Sequence, residues 1–460
     1  MIKRTLEQIE VMAEGKLVPG VPRDKLISGV STDSRAITTG CLFVPLIGDV
    51  FNGHSFVTEA FAKGAAASLW QQDQGEPPAD MPVIIVENCL TALQKLATAY
   101  RNQLTARVIA ITGSNGKTTT KDMTAAILST TYKVHKTEGN LNNHIGLPLT
   151  LLQMDESTEM AVLEMGMSGR GEIELLTGLA QPEAAIITNI GDAHLLQLGS
   201  REEIARAKCE ILSGLKEDGF FAYNGDDPLI DNTYPSMPQP NHFLRYRFGS
   251  GPQNDLYPLA IMLDHEGQQF RINWPDAPGF SLPLLGEHNV INALGAIAVC
   301  KYMGVQDKDI VEGLRNLKVS AMRIESIKAS CGALLLNDAY NANPSSMKAA
   351  IQLVHTLKGY HTKMVVLGDM LELGERELEF HLEIGRMLDP AQIDYVFAYG
   401  PLAYHIMLGA KEVLGAGKVQ WFEDKNELVK KLSSMLSPGD LVLFKASRGM
   451  KLEEVIQAVQ

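Results

Sequence analysis

The sequence is poor in cysteine, and its five cysteines lie scattered over 460 residues with no CxxC pair. Neither a disulfide framework nor a zinc site is therefore indicated, and this usage fits a reducing compartment. Apolar runs are also short, and none approaches the roughly 20 residues that a transmembrane helix needs. The first segment, MIKRTLEQIEVMAEGK, has the pattern of an amphipathic helix and not that of a signal peptide. We expect a cytoplasmic protein without membrane insertion.

Positive charge is scarce as well. The 41 lysines and arginines are outnumbered by 54 aspartates and glutamates, which gives a formal net charge of -13. Nucleic acid and anionic membranes both favour clustered Lys and Arg, so neither is expected as the main partner. A local site for an anionic small molecule remains compatible with this charge.

The composition that is present, 45% hydrophobic and 21% charged residues, is that of a soluble globular protein. The length alone predicts two to four domains, and we expect three, all of α/β type. Residues 1–103 mix short strands and helices and predict a small α/β domain. Residues 104–316 alternate buried strands with helices and predict a central P-loop domain with a parallel sheet. Residues 317–460 begin a new alternating series and predict a Rossmann-like, doubly wound domain. Its first strand lacks GxGxxG, so a dinucleotide is not indicated.

The stretch ITGSNGKTTTKDM, residues 111–123, carries the strongest chemical signal. A glycine-rich turn between a strand and a helix directs backbone N–H groups and the helix dipole at one point, which suits phosphate. Lys117 would neutralise the terminal phosphates, and the Thr118 hydroxyl would help hold Mg²⁺. The standard pattern GxxxxGK[ST] has glycine where Ile111 stands, so a turn that merely caps a helix is the alternative. The strand before and the helix after favour nucleotide binding.

A second magnesium ligand is expected at the end of a neighbouring strand. Glu164, in MAVLEMG, holds such a position. Asp192 and His194 follow the next strand and could open onto the same crevice. For His194 a capping or core role is an equally good interpretation of the residue pattern.

These residues resemble those of the Mur ligases, the ATP-dependent amide-forming enzymes of peptidoglycan precursor synthesis. The loop TGSNGKTTT is similar to their shortened P-loop, which lacks the first glycine in the same way. The resemblance covers nearly the whole chain and continues through STDSRAITTGCLFVPLIGDVFNGHSF, NLNNHIGLPLT, VLEMGMSGRGEI, TNIGDAHL, RAKCEI, LGEHNVINALGAIA, MRIES, NDAYNANPSSM, LGDMLELGERE and KASRGMKLEEV.

Within the family, NDAYNANPSSM and LGDMLELG resemble the member that joins D-alanyl-D-alanine to UDP-N-acetylmuramoyl-tripeptide (UDP-MurNAc-tripeptide). No DNPR motif for a diamino acid occurs. The resemblance implies that ATP phosphorylates the tripeptide carboxylate and that the dipeptide amine displaces the phosphate, giving UDP-MurNAc-pentapeptide, ADP and phosphate. It also implies that residues 1–103 bind the UDP-precursor. We expect a monomer.

The resemblance assigns roles to particular residues. Lys117, His194 and Lys208 are expected to be catalytic, and two Mg²⁺ ions are expected at Thr118, Glu164, His194 and Lys208. Lys208 resembles the family lysine that CO₂ carbamylates; from the residue pattern alone it is a helix lysine beside Arg206 and Glu210, for which a solvated face is the default.

The remaining expected contacts are with the three substrates. ATP is expected at Thr112, Gly113, Ser114, Asn115, Gly116, Lys117, Thr118, Thr119, Asn289, Asn292, Arg323 and Asp338. The UDP-precursor is expected at Ser31, Asp33, Ser34, Arg35, Asn140, Asn142, Asn143 and His144. The dipeptide is expected at Tyr340, Asn341, Asn343, Lys445, Ser447 and Arg448.

Simpler interpretations exist for several of these residues. Asn289 and Asn292 share a helix face and could be ordinary cap and surface residues. NDAYNANPSS could be a loop that enters a helix capped by Ser345 or Ser346. The segment from Ser31 to Arg35 could be a polar turn.

Two other functions remain open from the sequence. One is a folate or other amino-acid-adding ligase of the same architecture. The other is a nucleotide-switch protein, which should hydrolyse ATP slowly without any acceptor, whereas a ligase should need both the acid and the amine.

Overall fold

The computed structural model describes residues 1–263, 267–318 and 320–460. In the N-terminal part, a five-stranded sheet has the order β2-β7-β6-β5-β4, and β1 pairs with β3. Helix α1 begins after Thr5, whose side chain accepts the Gln8 N–H while the Gln8 side chain accepts the Thr5 N–H. The elements are β1 (Lys3–Thr5), α1 (Leu6–Met12), β2 (Lys16–Leu17), β3 (Leu26–Ser28), β4 (Val30–Ser31), β5 (Leu42–Phe43), α2 (Val57–Ala62), β6 (Ala67–Gln71), β7 (Val83–Val86) and α3 (Cys89–Gln103).

A six-stranded parallel sheet of order β13-β12-β11-β8-β10-β9 forms the centre of the molecule. Its four inner strands, β8, β10, β11 and β12, are buried on both faces, as the apolar runs predict. The elements are β8 (Arg107–Thr112), α4 (Lys117–Leu128), β9 (Val134–Lys136), α5 (Gly146–Gln153), β10 (Met160–Glu164), α6 (Glu172–Ala180), β11 (Ala184–Ile187), α7 (Leu195–Leu198), α8 (Arg201–Cys209), β12 (Gly219–Asn224), α9 (Pro228–Thr233), β13 (Phe243–Phe248), β14 (Pro258–Leu263), β15 (Gln268–Ile272), β16 (Phe280–Leu282), α10 (Glu287–Tyr302) and α11 (Asp307–Arg315).

The C-terminal part has a second six-stranded sheet, of order β17-β18-β22-β19-β20-β21. Helices α12 to α14 cover one face and α15 and α16 the other, which confirms the doubly wound prediction. The elements are β17 (Glu325–Lys328), β18 (Leu334–Asn337), α12 (Pro344–Thr356), β19 (Lys363–Gly368), α13 (Glu377–Arg386), β20 (Tyr395–Tyr399), α14 (Ala403–Leu414), β21 (Val419–Phe422), α15 (Lys425–Met435), β22 (Leu441–Lys445) and α16 (Glu453–Val459).

Two local features differ from the sequence prediction. The antiparallel strands β14 to β16 were not predicted, because their short, half-exposed segments lack a clear period. Helix α12 is capped by Asn343 and not by Ser345 or Ser346. The Asn343 side chain accepts the Ser346 N–H, and the Ser346 hydroxyl accepts the Asn343 N–H, because an amide reaches the first turn as well as a hydroxyl does.

One hydrophobic core is continuous between the N-terminal part and the central sheet. Leu93 and Leu96 of α3 belong to the same buried cluster as Leu147 of α5 and Leu176 of α6. Hydrogen bonds cross the same boundary, since the Tyr100 hydroxyl donates to the Met154 carbonyl at 2.9 Å. The C-terminal sheet has separate cores on its two faces. Within the ranges described, every helix is too short or too polar to cross a lipid bilayer.

Candidate functional site

The phosphate loop joins β8 to α4 and depends on two glycines. Gly116 has a φ of 79°, and a Cβ there would lie 2.6 Å from the Asn292 Oδ1. Gly113 has a φ of 149°, and a Cβ there would lie 1.8 Å from the Thr188 Oγ1. Larger residues are therefore excluded by backbone conformation and by space. The loop turns directly into the N-terminus of α4, as the sequence predicts.

Asn189, which follows β11, holds this loop in place. Its backbone carbonyl accepts the Ser114 N–H and its Oδ1 accepts the Asn115 N–H, both at 3.0 Å. The Lys117 ammonium donates to the Gly113 carbonyl at 2.7 Å, and burial is the main cause that lowers its pKa. The first N–H groups of α4 have no partner within the helix and can meet an anion.

A cavity of about 570 Å³ lies beyond the carboxyl ends of β8, β10 and β11. Crevices at this edge of parallel sheets are where ligands bind. Its lining combines the central and C-terminal parts of the chain. Among the expected site residues, it is lined by Ser114, Asn115, Gly116, Lys117, Thr118, Thr119, Asn142, Asn143, Glu164, His194, Asn289, Asn292, Arg323, Asp338, Tyr340, Asn341 and Lys445.

The other expected site residues lie outside this lining. Ser31, Asp33, Ser34 and Arg35 are in the N-terminal part, where Arg35 and Asp33 form a bidentate ion pair within one turn. The hydrogen bonds from Arg35 lower the Asp33 pKa to about 2. The remaining residues outside the lining are Thr112, Gly113, Asn140, His144, Lys208, Asn343, Ser447 and Arg448.

Glu164 ends β10 and presents an unusual carboxylate. It is 3% exposed, its Oε1 accepts the Asn142 amide at 2.8 Å, and its Oε2 is buried without a hydrogen-bond partner in the structure. A buried oxygen left unpaired is costly unless a ligand satisfies it. The carboxylate and the nearby Thr118 hydroxyl are the oxygen ligands that Mg²⁺ prefers. Among the described residues, no three His, Cys, Asp or Glu side chains converge as a complete metal site.

His194 stands at the N-terminus of α7 with a left-handed φ of 65°. Its Nδ1 lies 3.1 Å from the Oε2 of Glu372, in the C-terminal part. Burial first, and then the positive charges of Lys208 and Lys117, lower its pKa to about 4. The imidazole is therefore neutral near pH 7, donates through Nδ1 and leaves Nε2 as a free base or ligand.

Lys208 is not on a solvated face, so the default interpretation of its sequence context is wrong. It is 2% exposed, while Arg206 pairs with Glu203 and Glu210 pairs with Arg170. Burial and the nearby Lys117 lower the Lys208 pKa well below its ordinary value. The same surroundings favour the neutral, nucleophilic amine over the charged ammonium.

Arg323 brings the C-terminal part onto the phosphate loop. Its guanidinium donates to the Thr118 Oγ1 at 3.2 Å and stacks over the Tyr340 ring, with 4.0 Å between the guanidinium carbon and the ring centroid. Its Nε is buried and unpaired. Met322 and Ile324, on either side, both have left-handed φ values, of 62° and 52°. Non-glycine residues seldom adopt this conformation, and those that do are concentrated at functional sites.

Asp338 and Lys445 form a buried ion pair at the far wall of the cavity. The Lys445 ammonium donates to the Asp338 Oδ2 at 2.5 Å and to the Asn341 carbonyl at 3.1 Å. Ser447 is also buried, and its hydroxyl accepts the Leu371 N–H. The Arg448 side chain is half exposed and pairs with Glu453.

Three cavity residues and Glu372 were missed from the sequence. Asn189 and Gly191 lay in quoted motifs but were given no role, and Ser345 was considered only as a helix cap. A Cβ on Gly191 would lie 2.8 Å from the Ser345 Oγ, so close packing of two distant segments requires the glycine. Gly191 and Ser345 are 154 positions apart in the sequence, so no local sequence pattern could predict this contact.

Comparison with known proteins gives matches along most of the chain. The Mur ligase middle domain matches residues 111–300, the glutamate ligase domain of Mur ligases matches residues 322–448, and the Mur ligase catalytic domain matches residues 26–101. These matches fall within the central, C-terminal and N-terminal parts of the structure.

Relatives match over nearly their full length. UDP-N-acetylmuramoyl-tripeptide–D-alanyl-D-alanine ligase from Bacillus subtilis is 51% identical, over 99% of this chain and 98% of its own. A crystal structure of MurF from Acinetobacter baumannii is 31% identical, with a TM-score of 0.89 over 100% of this chain and 99% of its own. MurF from Thermotoga maritima in complex with ADP is 29% identical, with a TM-score of 0.81 over 94% of this chain and 96% of its own. The chain belongs to the Mur ligase family.

Proposed function

We propose that this protein is an ATP-dependent ligase that joins D-alanyl-D-alanine to UDP-MurNAc-tripeptide, giving UDP-MurNAc-pentapeptide, ADP and phosphate. The observation that carries the proposal is the cavity in which the phosphate loop faces cations of the C-terminal part, in a chain 51% identical to a ligase of that name. Lys117 of the phosphate loop and Arg323 of the C-terminal part supply positive charge, and Lys445 adds a charge that Asp338 balances. Such a site suits the union of two anions, ATP and a carboxylate.

The chemistry follows from what a carboxylate cannot do unaided. Its oxygen attacks the γ-phosphorus, ADP leaves, and the resulting acyl phosphate has a leaving group that an amine can displace. The amine then bonds to the acyl carbon and phosphate departs. The enzyme's contribution is positioning and charge stabilisation, in which Lys117 and the N–H groups of α4 would contact the phosphates.

Thr118, Glu164 and His194 suit the oxygen and nitrogen ligand positions of Mg²⁺, and the unpaired Glu164 Oε2 is the observation that supports this assignment. Bound magnesium would neutralise phosphate charge during transfer. Independently of the metal, Arg323 holds the Thr118 hydroxyl and keeps an unpaired Nε for a phosphate oxygen.

For Lys208 we propose carbamylation. A neutral Nζ can bond to the carbon of CO₂ and release one proton, which converts a buried amine into a carboxylate-like ligand for a second Mg²⁺. The burial of Lys208 and the lowered pKa of its amine support this assignment, because a charged ammonium has no lone pair for the bond.

The other contacts are proposed from position. Asn292 is buried against Gly116 of the phosphate loop, and Asn289 is buried in the lining of the same cavity; both would lie near the adenine, and Asp338 would meet the ribose. Tyr340, Asn341 and Lys445 would border the dipeptide, together with Ser447 and Arg448. Asn142 and Asn143 would face the precursor in the cavity, with Asn140 and His144 beside them and Ser31, Asp33, Ser34 and Arg35 at its UDP end.

We further propose domain boundaries at 1–103, 104–316 and 317–460, and a monomer that works in the cytoplasm, where ATP is available. The first two units share one hydrophobic core, so the boundary near residue 103 separates their proposed binding roles but does not separate two independently packed cores.

The first experiment is to measure phosphate release with ATP and Mg²⁺ while UDP-MurNAc-tripeptide and D-alanyl-D-alanine are added separately and together. Release only with both, with UDP-MurNAc-pentapeptide detected by mass spectrometry, is expected. Release independent of both, with no new amide, would instead indicate a nucleotide switch. Ligation of a folate or another amino acid would indicate the other alternative.

A pair of lysine variants makes this test specific to the site. Lys117→Met should abolish release because it removes the cation at the phosphates. Lys216→Met alters an exposed lysine outside the cavity and should retain full activity. Equal activity of the two variants would contradict the assignment of the phosphate loop.

A further inference from the structure

A reciprocal amide pair joins the phosphate loop to the C-terminal part. The Asn343 Nδ2 donates to the Asn115 Oδ1 at 2.8 Å, and the Asn115 Nδ2 lies 3.4 Å from the Asn343 Oδ1. Asn343 is 4% exposed and Asn115 is partly buried at the cavity, so the Asn343 side of this pair is shielded from water. Hydrogen bonds in such surroundings are costly to leave unmade.

Ser345 strengthens the same contact. Its hydroxyl accepts the Asn115 Nδ2–H at 2.8 Å and donates to the Asn343 Oδ1 at 2.9 Å. Gly191 provides the space, because a Cβ there would lie 2.8 Å from the Ser345 Oγ and 3.3 Å from the Asn115 Nδ2. Three segments distant in sequence therefore meet around one amide.

The backbone of Asn115 is fixed independently of its side chain. Asn189 accepts its N–H through Oδ1 at 3.0 Å and donates to its carbonyl through Nδ2 at 3.1 Å. Any restraint on the Asn115 side chain therefore acts on a residue already tied to the end of β11. Gly116 and Lys117 follow immediately and line the cavity.

The polar capacity of Asn343 is largely used by the protein itself. Its Oδ1 caps α12 by accepting the Ser346 N–H at 2.9 Å, in addition to its bond from Ser345. It also lies outside the cavity lining that Tyr340 and Asn341 share. These contacts suit a role in holding the loop better than direct contact with the dipeptide.

We propose that Asn343 and Ser345 are positioning residues, which hold the phosphate loop in its ATP-binding conformation by hydrogen bonding to the Asn115 side-chain amide. The expected effect on kcat rests on the proposed ligase function, whereas the expected effect on ATP affinity does not. ATP affinity and docking of the C-terminal part onto the loop are then linked, and each stabilises the other by the same factor. The phosphate site is complete only when both parts of the chain are in contact.

The test uses Asn343→Asp and Ser345→Ala in the full chain. Aspartate retains the acceptor that caps α12 and loses the donor to the Asn115 Oδ1. Calorimetric titration with ATP and Mg²⁺ should show a Kd raised about 10-fold for each variant, the effect of losing one partly buried hydrogen bond. Under saturating ATP, kcat should also fall, while the KM for UDP-MurNAc-tripeptide stays within twofold.

The matched controls are Asn88→Asp, which changes the N-cap of α3 in the same way, and Ser434→Ala in α15. Both lie outside the cavity, and neither should alter ATP affinity. If Asn343→Asp and Ser345→Ala bind ATP as tightly as these controls, the proposal is overturned.

A double-variant comparison separates the effect of losing the hydrogen bonds to Asn115 from the effect of the added negative charge. In an Asn115→Ala background the partner is gone, so Asn343→Asp and Ser345→Ala should cause little further loss of ATP affinity. If ATP affinity fell in that background as much as it does in the single variants, the cause would be the added charge or a less stable α12, and the proposal would also be overturned. Binding of ATP needs no ligation, so a wild-type protein that fails to form the pentapeptide would refute the proposed function and leave this result standing.

Discussion

At the scale of single residues, Glu164 offers a test of the metal site that separates stability from chemistry. Its Oε2 is buried and unpaired. Glu164→Gln should leave the free energy of unfolding in magnesium-free buffer unchanged or raise it by about 1 kcal/mol, because a buried charge is removed. The Mg²⁺ concentration needed for half-maximal phosphate release should rise by about 10-fold or more. A magnesium titration that matches wild type would exclude Glu164 as a ligand.

Lys208 is expected to be indispensable for turnover. Lys208→Ala should lower kcat about 100-fold or more, and added bicarbonate should not restore it, because no amine remains to be carbamylated. Lys208→Arg should be equally inactive, since a guanidinium stays protonated. ¹³C-bicarbonate should give a carbamate NMR signal in wild type and in neither variant. Near-normal turnover of Lys208→Ala would contradict the role.

The lowered His194 pKa makes stability depend on pH in a defined direction. Above pH 6.5 both folded and unfolded chains hold a neutral imidazole; between 6.5 and about 4 only the unfolded chain takes up the proton. The free energy of unfolding should therefore decrease as the pH is lowered from 6.5 to about 4, by at most about 1.4 kcal/mol per pH unit from this residue. His194→Gln should make this dependence shallower in urea unfolding, whereas His242→Gln, at an exposed site, should not.

At the scale of elements, the turn from β8 into α4 should be intolerant of side chains. Gly116→Ala should destabilise the fold by about 1–2 kcal/mol through its left-handed backbone alone, and more through contact with Asn292. Gly178→Ala, in α6 with open space around it, should stabilise by about 0.5–1 kcal/mol. Thermal unfolding of both variants measures the contrast. A neutral Gly116→Ala would show that the loop can rearrange.

Elements with strong local signals could be predicted from the sequence, and the contacts between elements could not. The strand–loop–helix around Lys117 follows from a buried strand, glycines and a helical pattern, each within a few residues. The cap of α12 was assigned to the wrong residue because Asn343, Ser345 and Ser346 are all good caps, and only the three-dimensional contact with Asn115 favours the amide. The burial of Lys208 was also invisible, since its charged neighbours suggested a solvated face.

At the scale of the whole molecule, the distribution of cores predicts two cooperative units. Leu93 and Leu147 share one core across the N-terminal and central parts, whereas Ile351 lies in a core of the C-terminal part. Calorimetry should resolve two unfolding transitions. Leu93→Ala should shift one transition to lower temperature and Ile351→Ala the other. Each variant should lower the free energy of unfolding of its own unit by about 2–5 kcal/mol. A single transition shifted equally by both variants would show that the three parts unfold together.

The shared core also has a consequence for synthesis. When the first hundred residues leave the ribosome, α3 exposes leucines of a hydrophobic core that extends as far as Tyr234 and is not yet complete. At about 5–20 residues per second, the roughly 130 residues in between take on the order of 6 to 26 s to translate. For that interval the nascent chain presents an apolar helix face that a chaperone can occupy. The order in which the chain emerges thus determines when its first domain can be finished.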